Sequence, residues 1–590
     1  MCGIAGYKGT SDANQVVIEG LRRLEYRGYD SWGIASIHQD HIELLRREGR
    51  IGQVSIQNLG KSSGISIGHT RWATHGGVCE ANAHPHLSFD SKVAIVHNGI
   101  IENYQELRRE LTDSGITLHS QTDTEVIPHL TALELKKPNT SFSEAVRRTC
   151  RRLKGSYAIV AVHQDFDEII VARDGSPVVI GVHWDEADKE FFVASDVTAF
   201  LDLTKDAVYL RDGELAVINS QLNVFEIADG SRASYKVETI PWSVEEAAKG
   251  EFHYFMLKEI HEQPQSVVLA INQETSAMDN IVEGLKQAHR IIFVGCGTSA
   301  HAAWAGQMWM RTIGNRDAQV ILASEFDTIA PLLGKNDAVV ALSQSGETAD
   351  VIAAAKASKL QGAALYSIIN VGGSSLARMS DAVLLMRSGP EICVLATKSY
   401  LAELVILALL ASKIGGRKDI EDQIALLPSK VKSVIASTQD LANDLAPRIS
   451  LAKDVLMIGR GRMFPTALEA SLKLKEVSYI HAEGFAGGEL KHGSIALVES
   501  NVPVIVFADN STRHQIVSNA MEVRARGGLV IGVDTKPNEA YDIHIPVPDA
   551  GLLQPILSVI PLQLLSYFVA VHKGLDPDKP RNLAKSVTVT

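Results

Sequence analysis

The sequence predicts a multidomain α/β protein: an N-terminal unit of mixed, largely antiparallel strands, then two doubly wound parallel-sheet domains. Three observations carry this. To about residue 240, short apolar strands follow one another through Gly, Asn and Asp turns, which favours antiparallel pairing. From about residue 265 the pattern becomes apolar strand, polar loop, helix, repeatedly, as in a parallel sheet covered on both faces. That second pattern occurs twice, with Gly295-Cys296-Gly297 behind one apolar strand matching Gly459-Arg460-Gly461 behind another. A chain of 590 residues is also too long for a single core. The expected division is 1–240, a linker at 241–252, parallel-sheet domains at 253–430 and 431–572, and a tail at 573–590.

Composition narrows the function classes. A net charge of −12 opposes nonspecific binding to nucleic acid or anionic membrane, so any phosphate affinity must come from a local pocket. Five scattered cysteines with no CxxC pair fit a reducing cytoplasm, and neither a disulfide framework nor a structural zinc site. No charged-then-apolar leader is expected ahead of Cys2. The apolar runs 404–411 and 556–571 are short or interrupted by Pro561, Gln563 and Ser566, and read as buried helices.

The chain opens Met1-Cys2-Gly3-Ile4-Ala5-Gly6. Trimming of Met1 puts a thiol and an α-amine on one residue. An amine titrating near ~8 can take a proton from a thiol titrating near ~8.5, which is the logic of an N-terminal nucleophile; the other reading of Cys2 is a small residue starting a strand. Ser11 or Asp12 caps a helix running to Leu24. Strand composition marks 4–7, 65–68, 93–97 and 157–162. Between them lie polar clusters at 26–31, 69–76, 82–86, 97–103 and 122–125. His84 and His86 flank Pro85 without a matching third ligand, so no metal is expected.

With the Cys-Gly-Ile start, these clusters resemble the class II glutamine amidotransferase domain over about the first 220 residues. The resemblance implies the αββα sandwich of N-terminal nucleophile hydrolases. It makes Cys2 the attacking thiol, and Asn98 with the Gly99 N–H the oxyanion hole. It gives Arg71 the carboxylate and Asp123 the ammonium of glutamine, with Thr74, His75 and Gly76 lining the same pocket.

A polar stretch at 243–250 marks the linker, and 255–264 reads as a helix ended by Pro264. Residues 295–300 satisfy a G-x-G-x-x-A dinucleotide fingerprint behind a strand. No acid follows at about 20 residues, the next being Asp317, and no cofactor is expected. The loop Ser343-Gln344-Ser345-Gly346-Glu347-Thr348 opens a helix, and its hydroxyls with unpaired helix N–H groups suit a phosphate monoester. Plain capping would use one hydroxyl and leave the clustering unexplained.

Cys-Gly-Thr-Ser, Ser-Gln-Ser-Gly-Glu-Thr and the internal repeat resemble the SIS domains of phosphosugar enzymes. Glutaminase followed by two SIS domains is similar to the family of isomerizing amidotransferases acting on fructose 6-phosphate. That implies transfer of the amide nitrogen of L-glutamine to fructose 6-phosphate, giving glucosamine 6-phosphate and glutamate. It implies a sugar phosphate site of Cys296, Gly297, Thr298, Ser299, Ser343, Gln344, Ser345, Thr348, Val394 and Ala584. Glu476 becomes the base moving the C1/C2 proton, with Lys473 on the same helix face. His492 becomes the ring-opening acid/base, supplied across a homodimer interface, and Lys585 the Schiff-base lysine. Ammonia would cross an internal channel gated by Trp72, with Arg27 and the C-terminal tail in the closure. Without the resemblance, Lys473 and Glu476 read as a surface ion pair, and His492 as a solvated loop histidine.

Two departures bear on the sugar. Ala300 stands where tyrosine is usual, and Leu395-Ala396 where Ala-Ser is usual, so a hydroxyl near the sugar is lost. A different ketose or aldose phosphate is therefore the alternative acceptor. A phosphosugar sensor without turnover is the non-enzymatic one, and retention of Lys473, Glu476, His492 and Lys585 argues against it.

Overall fold

A computed structural model describes residues 2–588 apart from 53–59, 61, 63, 74, 185–188, 241, 243–245 and 247. Thr74 and part of the expected linker lie outside the described residues. The chain forms two compact units: Met1–Ala247 together with Ala584–Thr590, and Ala248–Leu583. The expected tail is thus divided between them.

In the first unit, among the described residues, one antiparallel sheet has eight strands. Their order is Glu238–Thr239, Asp206–Tyr209, Val179–Trp184, Lys189–Ala194, Gly3–Lys8, Ile65–Arg71, Ser31–Ile37, Ile42–Glu48. A second antiparallel sheet has seven, centred on Phe166–Asp174, Gly155–His163 and Val93–Ile101. Alternating side chains of each strand face opposite ways, so Ile4, Ala35 and Ile67 of the first sheet meet Val96, Val160 and Val171 of the second in one core. Ile95, Ile159 and Ile170 face away, toward the helices Tyr104–Asp113, Val126–Leu135 and Phe142–Cys150. On the outer face of the first sheet lies Ala13–Leu24. Asp12 caps it by accepting from the N–H groups of Asn14 and Gln15, at 3.1 and 3.4 Å. Its Val17 and Leu21 sit so close over Gly68 that any side chain there would collide with them. The layers are helix, sheet, sheet, helix.

The second unit holds two five-stranded parallel sheets with one topology. In the first the order is Gln319–Leu322, Arg290–Gly295, Asp337–Ser343, Ala364–Ile369, Ala382–Leu385. In the second it is His481–Ala486, Asp454–Gly459, Pro503–Phe507, Leu529–Asp534, Ile543–Pro546. Gly295 and Gly459 end matching strands, so the repeat read in sequence is a repeat of fold. One apolar core serves both halves: Phe293 and Leu342, Met457 and Ile505, and the helices Lys398–Gly415 and Ile560–His572 all contribute to it. The helical stretch Gly551–His572 is long and apolar enough to cross a membrane, but 89% of its most apolar window is buried inside the protein.

The expected single helix ending at Pro264 is instead two, Phe255–His261 and Gln263–Ile271. Pro264 sits in the first turn of the second, where its missing N–H leaves no hydrogen bond unmade.

Candidate active sites

In the first unit, Gly3–Lys8 runs between Lys189–Ala194 and Ile65–Arg71, with Gly3 opposite Thr70. Gly3 N–H donates to Thr70 Oγ1 and Ile4 N–H to Ser195 Oγ, both at 3.1 Å, and these bonds anchor the start of the strand. Cys2 therefore falls beside Trp72, whose N–H donates to Sγ at 3.1 Å. Burial pushes the thiol up from its ordinary value, while the Trp72 N–H and the Arg71 guanidinium pull it down.

Asn98, on Val93–Ile101 of the facing sheet, donates from Nδ2 to Cys2 O at 3.0 Å. Its Oδ1 lies 3.0 Å from His69 Nε2, which is also 3.1 Å from His97 O. Both partners are acceptors, so Nε2 carries the hydrogen. Burial pushes the His69 imidazole down to about 3, so it is neutral. His69 Nδ1 is then an acceptor, and His84 Nδ1 donates to it at 3.2 Å. The sequence reading missed His69 as a site residue. The signal was present: it stands two positions before Arg71 in a strand, hence on the same face.

Gly99 has φ +127°, and any Cβ there would run into Ser156 O, so only glycine fits. Arg71 is buried, and its guanidinium donates to the carbonyls of Gly77 (3.1 Å), Gly76 (3.3 Å) and His75, wrapping that loop around itself. His75 packs edge-on to Tyr104, 5.6 Å between ring centres. Asp123 accepts the Ile101 N–H at 2.8 Å at the end of the Asn98 strand. Asp30 accepts the Ala73 N–H at 2.9 Å. Trp72 meets Tyr29 edge-to-face at 5.7 Å. Arg27 is buried and forms an ion pair with the half-buried Asp196 at 2.8 Å. Lys585 and Ala584 are half-buried. Among the described residues no three His, Cys, Asp or Glu side chains are grouped to hold a metal ion.

In the second unit, the loop 343–348 leaves the Asp337–Ser343 strand at its carboxyl end. Gly346 N–H donates to Ser343 Oγ (3.0 Å) and Glu347 N–H to Ser345 Oγ (3.1 Å), and Ser343 Oγ lies 3.2 Å from Thr348 Oγ1. Gly346 has φ +64° and backs onto Ser374, leaving no room for a Cβ. Thr348 is N-cap of Ala349–Leu360 but its side chain makes no capping bond, so its hydroxyl leaves the first N–H groups of that helix uncapped. Gln344 is half-buried beside them. The matching loop in the second half differs. There Asp509 is buried and accepts from Thr512 N–H (2.8 Å), Thr512 Oγ1 (2.7 Å) and Ser511 Oγ (2.9 Å) ahead of Arg513–Arg524.

Cys296 is N-cap of Gly297–Thr312, and burial pushes its thiol up to about 11. Thr298 Oγ1 donates to Glu469 Oε1 at 3.1 Å, and Ser299 Oγ to Glu403 Oε1 at 2.7 Å. Burial pushes Glu403 up to about 8. Val394 donates its N–H to Asp578 O at 3.1 Å. Ala300 and Leu395 are both buried, whereas Ala396 is half-buried.

Lys473 and Glu476 do not form a surface pair. They share the helix Phe464–Ser478, where Lys473 is 1% exposed and lies 2.8 Å from Glu476 Oε2 and 3.3 Å from Glu469 Oε1. Burial works against the ammonium, but the two carboxylates outweigh it and hold Lys473 above the ordinary lysine range. Glu469, one turn before Lys473, is a site residue the sequence reading missed. His492 is exposed in the short turn Gly487–His492.

Comparison with known proteins bears on both units. A glutamine amidotransferase domain model matches residues 69–202, and a SIS domain model matches twice, at 284–413 and 448–573. Over its full length, and over the full length of each relative, the chain is similar to two archaeal proteins named glutamine-fructose-6-phosphate aminotransferase (isomerizing). It is 43% identical to that of Pyrococcus horikoshii and 41% to that of Thermococcus kodakarensis. A solved C-terminal domain of glucosamine-fructose-6-phosphate aminotransferase from Francisella tularensis is 34% identical with a TM-score of 0.51, covering 56% of this chain and 99% of that one.

Proposed function

The chain belongs to the family of isomerizing glutamine-fructose-6-phosphate aminotransferases, and from that premise we propose how its residues divide the reaction. The enzyme moves the amide nitrogen of glutamine to fructose 6-phosphate and isomerises the product to glucosamine 6-phosphate. Cys2 attacks the amide carbonyl, its own α-amine serving as base once Met1 is removed. Asn98 Nδ2 and the Gly99 N–H donate to the oxyanion that forms. Arg71, Asp123, Thr74, His75 and Gly76 hold the amino acid end of glutamine, and Trp72, bonded to the thiol through its backbone, gates the site with Arg27 behind it.

The sugar phosphate sits against Ser343, Gln344, Ser345 and Thr348, with Cys296, Gly297, Thr298, Ser299, Val394 and Ala584 lining its site. Three hydroxyls and uncapped helix N–H groups supply donors that a phosphate dianion needs in a protein of net charge −12. Lys585 forms the Schiff base with the open ketose, and Glu476 carries the proton between C1 and C2 while Lys473 compensates its charge. Ring opening falls to the partner subunit's His492, which makes a homodimer the smallest competent form. The enzyme works in the cytoplasm, where its five cysteines, none of them in a disulfide, remain thiols.

The observation that carries the reading is 43% identity over the whole of both chains. Purified enzyme given glutamine and a panel of hexose phosphates is expected to form glucosamine 6-phosphate and glutamate in equal amounts from fructose 6-phosphate. Glutamine hydrolysis with no amino sugar from that substrate overturns the assignment.

A further inference from the structure

We propose that His301 is a positioning residue for the sugar chemistry: by holding Glu469 it leaves the Lys473 ammonium to Glu476. The proposal rests on the reading of Glu476 as the proton-shuttling base.

Five side chains from the two halves of the second unit form one ladder. His301 Nδ1 lies 2.7 Å from Glu469 Oε2. Thr298 Oγ1 donates to Glu469 Oε1 at 3.1 Å and accepts from Lys473 Nζ at 3.0 Å. Lys473 Nζ then lies 3.3 Å from Glu469 and 2.8 Å from Glu476. Glu469 is fully buried, whereas the His301 side chain keeps 15% of its surface. The His301 ring stacks on Trp304, 5.8 Å between centres at 20°, which fixes the plane in which Nδ1 points.

Two carboxylates thus share one ammonium in buried surroundings, where each needs compensation. If Glu469 had no other donor, it would draw Lys473 toward itself and away from the base. The imidazole occupies Oε2, and the Thr298 hydroxyl shares Oε1. With Glu469 served from those two sides, Lys473 stands nearer to Glu476, as the distances show.

Other charged and titratable groups also lie around the Gly297–Thr312 helix. On Lys398–Gly415, Glu403 is bonded to Ser299 (2.7 Å) and Tyr400 is buried; burial pushes both groups up, and the Glu469 charge adds to it, so both face the ladder, whereas Lys398 pairs with Glu262 (2.6 Å). Arg462, in the turn before Phe464–Ser478, lies 3.4 Å from Asp509. Arg290 pairs with Asp337 and Arg311 with Asp317, each at 2.6 Å. Among the described residues, none of these is hydrogen-bonded to His301.

The test is the pH profile of kcat/KM for fructose 6-phosphate in full-length wild type, H301Q, H301N and E469Q, with glutamine hydrolysis and Tm as folding controls. The base must be deprotonated to act. Removing His301 weakens the hold on Glu469, diverts Lys473 and raises the pKa of Glu476, so the acid limb moves up by about one pH unit, a roughly tenfold loss of rate on that side. E469Q frees Lys473 for Glu476, and the acid limb moves down. Opposite shifts with glutamine hydrolysis unchanged support the proposal; an unmoved limb, or shifts of the same sign, overturns it. Should neither His301 variant fold, W304A, which removes the ring that His301 stacks on, takes their place: its acid limb is expected to move up, and an unmoved limb overturns the proposal. E476Q separates the two levels. If it still isomerises, the reading of Glu476 as base fails and takes the proposal with it. If it is inactive and the H301Q limb stays in place, only the role of His301 fails.

Discussion

His69 Nε2 stands 3.0 Å from Asn98 Oδ1, and the hydrogen it carries decides which way the Asn98 amide faces. With Oδ1 held on that side, Nδ2 is turned to Cys2, where it is 3.0 Å from the carbonyl oxygen. Asn98→Ala is expected to lower kcat for glutamine hydrolysis by about 10²- to 10³-fold. His69→Phe leaves the amide free to flip and should cost about tenfold or more, with KM for glutamine little changed. Steady-state glutaminase kinetics check both; a His69→Phe enzyme as fast as wild type would mean the imidazole does not orient the amide.

Cys2→Ala should abolish glutamine hydrolysis and leave phosphosugar isomerisation measurable, because Glu476 and Lys473 belong to the other compact unit. Separate assays of the two half-reactions read this directly. Loss of both would show that the terminus also supports the second site.

Gly99→Ala places a methyl group against Ser156 O at φ +127°. The strand must shift, so glutaminase activity should fall by at least tenfold and Tm of the first unit should drop, while isomerisation persists. Calorimetry with the two assays checks the pattern.

Thr348→Val and Ser345→Ala each remove a hydroxyl from the loop 343–348, proposed to hold the phosphate. A hydrogen bond to a charged group is worth about 1.5–3 kcal/mol, so KM for fructose 6-phosphate should rise by roughly tenfold or more. Glutamine hydrolysis without sugar should be unchanged.

Glu403 folds as a neutral acid, because burial raises it from 4.5 to about 8. The folded state therefore binds its proton more tightly than the unfolded one. The resulting stability is fully present below about pH 4.5 and is lost as pH rises through about 8. Glu403→Gln should melt close to wild type near pH 4.5 and a few degrees above it at pH 9. Tm curves that stay parallel across that range would show the carboxyl ionises normally.

Much of the fold was legible because its signals are local. Strand composition and turn residues marked the sandwich strands, and Gly295 and Gly459 marked the repeat. The motifs of Cys2, Asn98 and Gly99 were legible, and the fold brings Asn98 within 3.0 Å of Cys2 O. What was not legible depends on burial and long-range contact. A Lys and a Glu three apart share a helix face, but spacing does not say that this face is buried, so Lys473 read as a surface charge. Glu469 and His301 meet only because helices from the two repeats pack together. His69, His84, His86 and His97 are all buried in one unit, and their pairing follows from strands far apart in sequence. Pro264 read as a stop, but a proline fits the first turn of a helix as readily as the position after its end.

The two matching loops at 343–348 and 508–512 carry opposite chemistry. The first presents hydroxyls and uncapped N–H groups; the second already holds an anion of its own in Asp509, which uses the donors that a phosphate would need. A duplicated fold would ordinarily give two equivalent phosphate sites per chain, but on the proposed reading one copy binds the phosphate and the other, through Phe464–Ser478, bears the acid and base groups. The ancestral symmetry survives in the strands and is broken at their ends, so titration should find one sugar phosphate bound per chain.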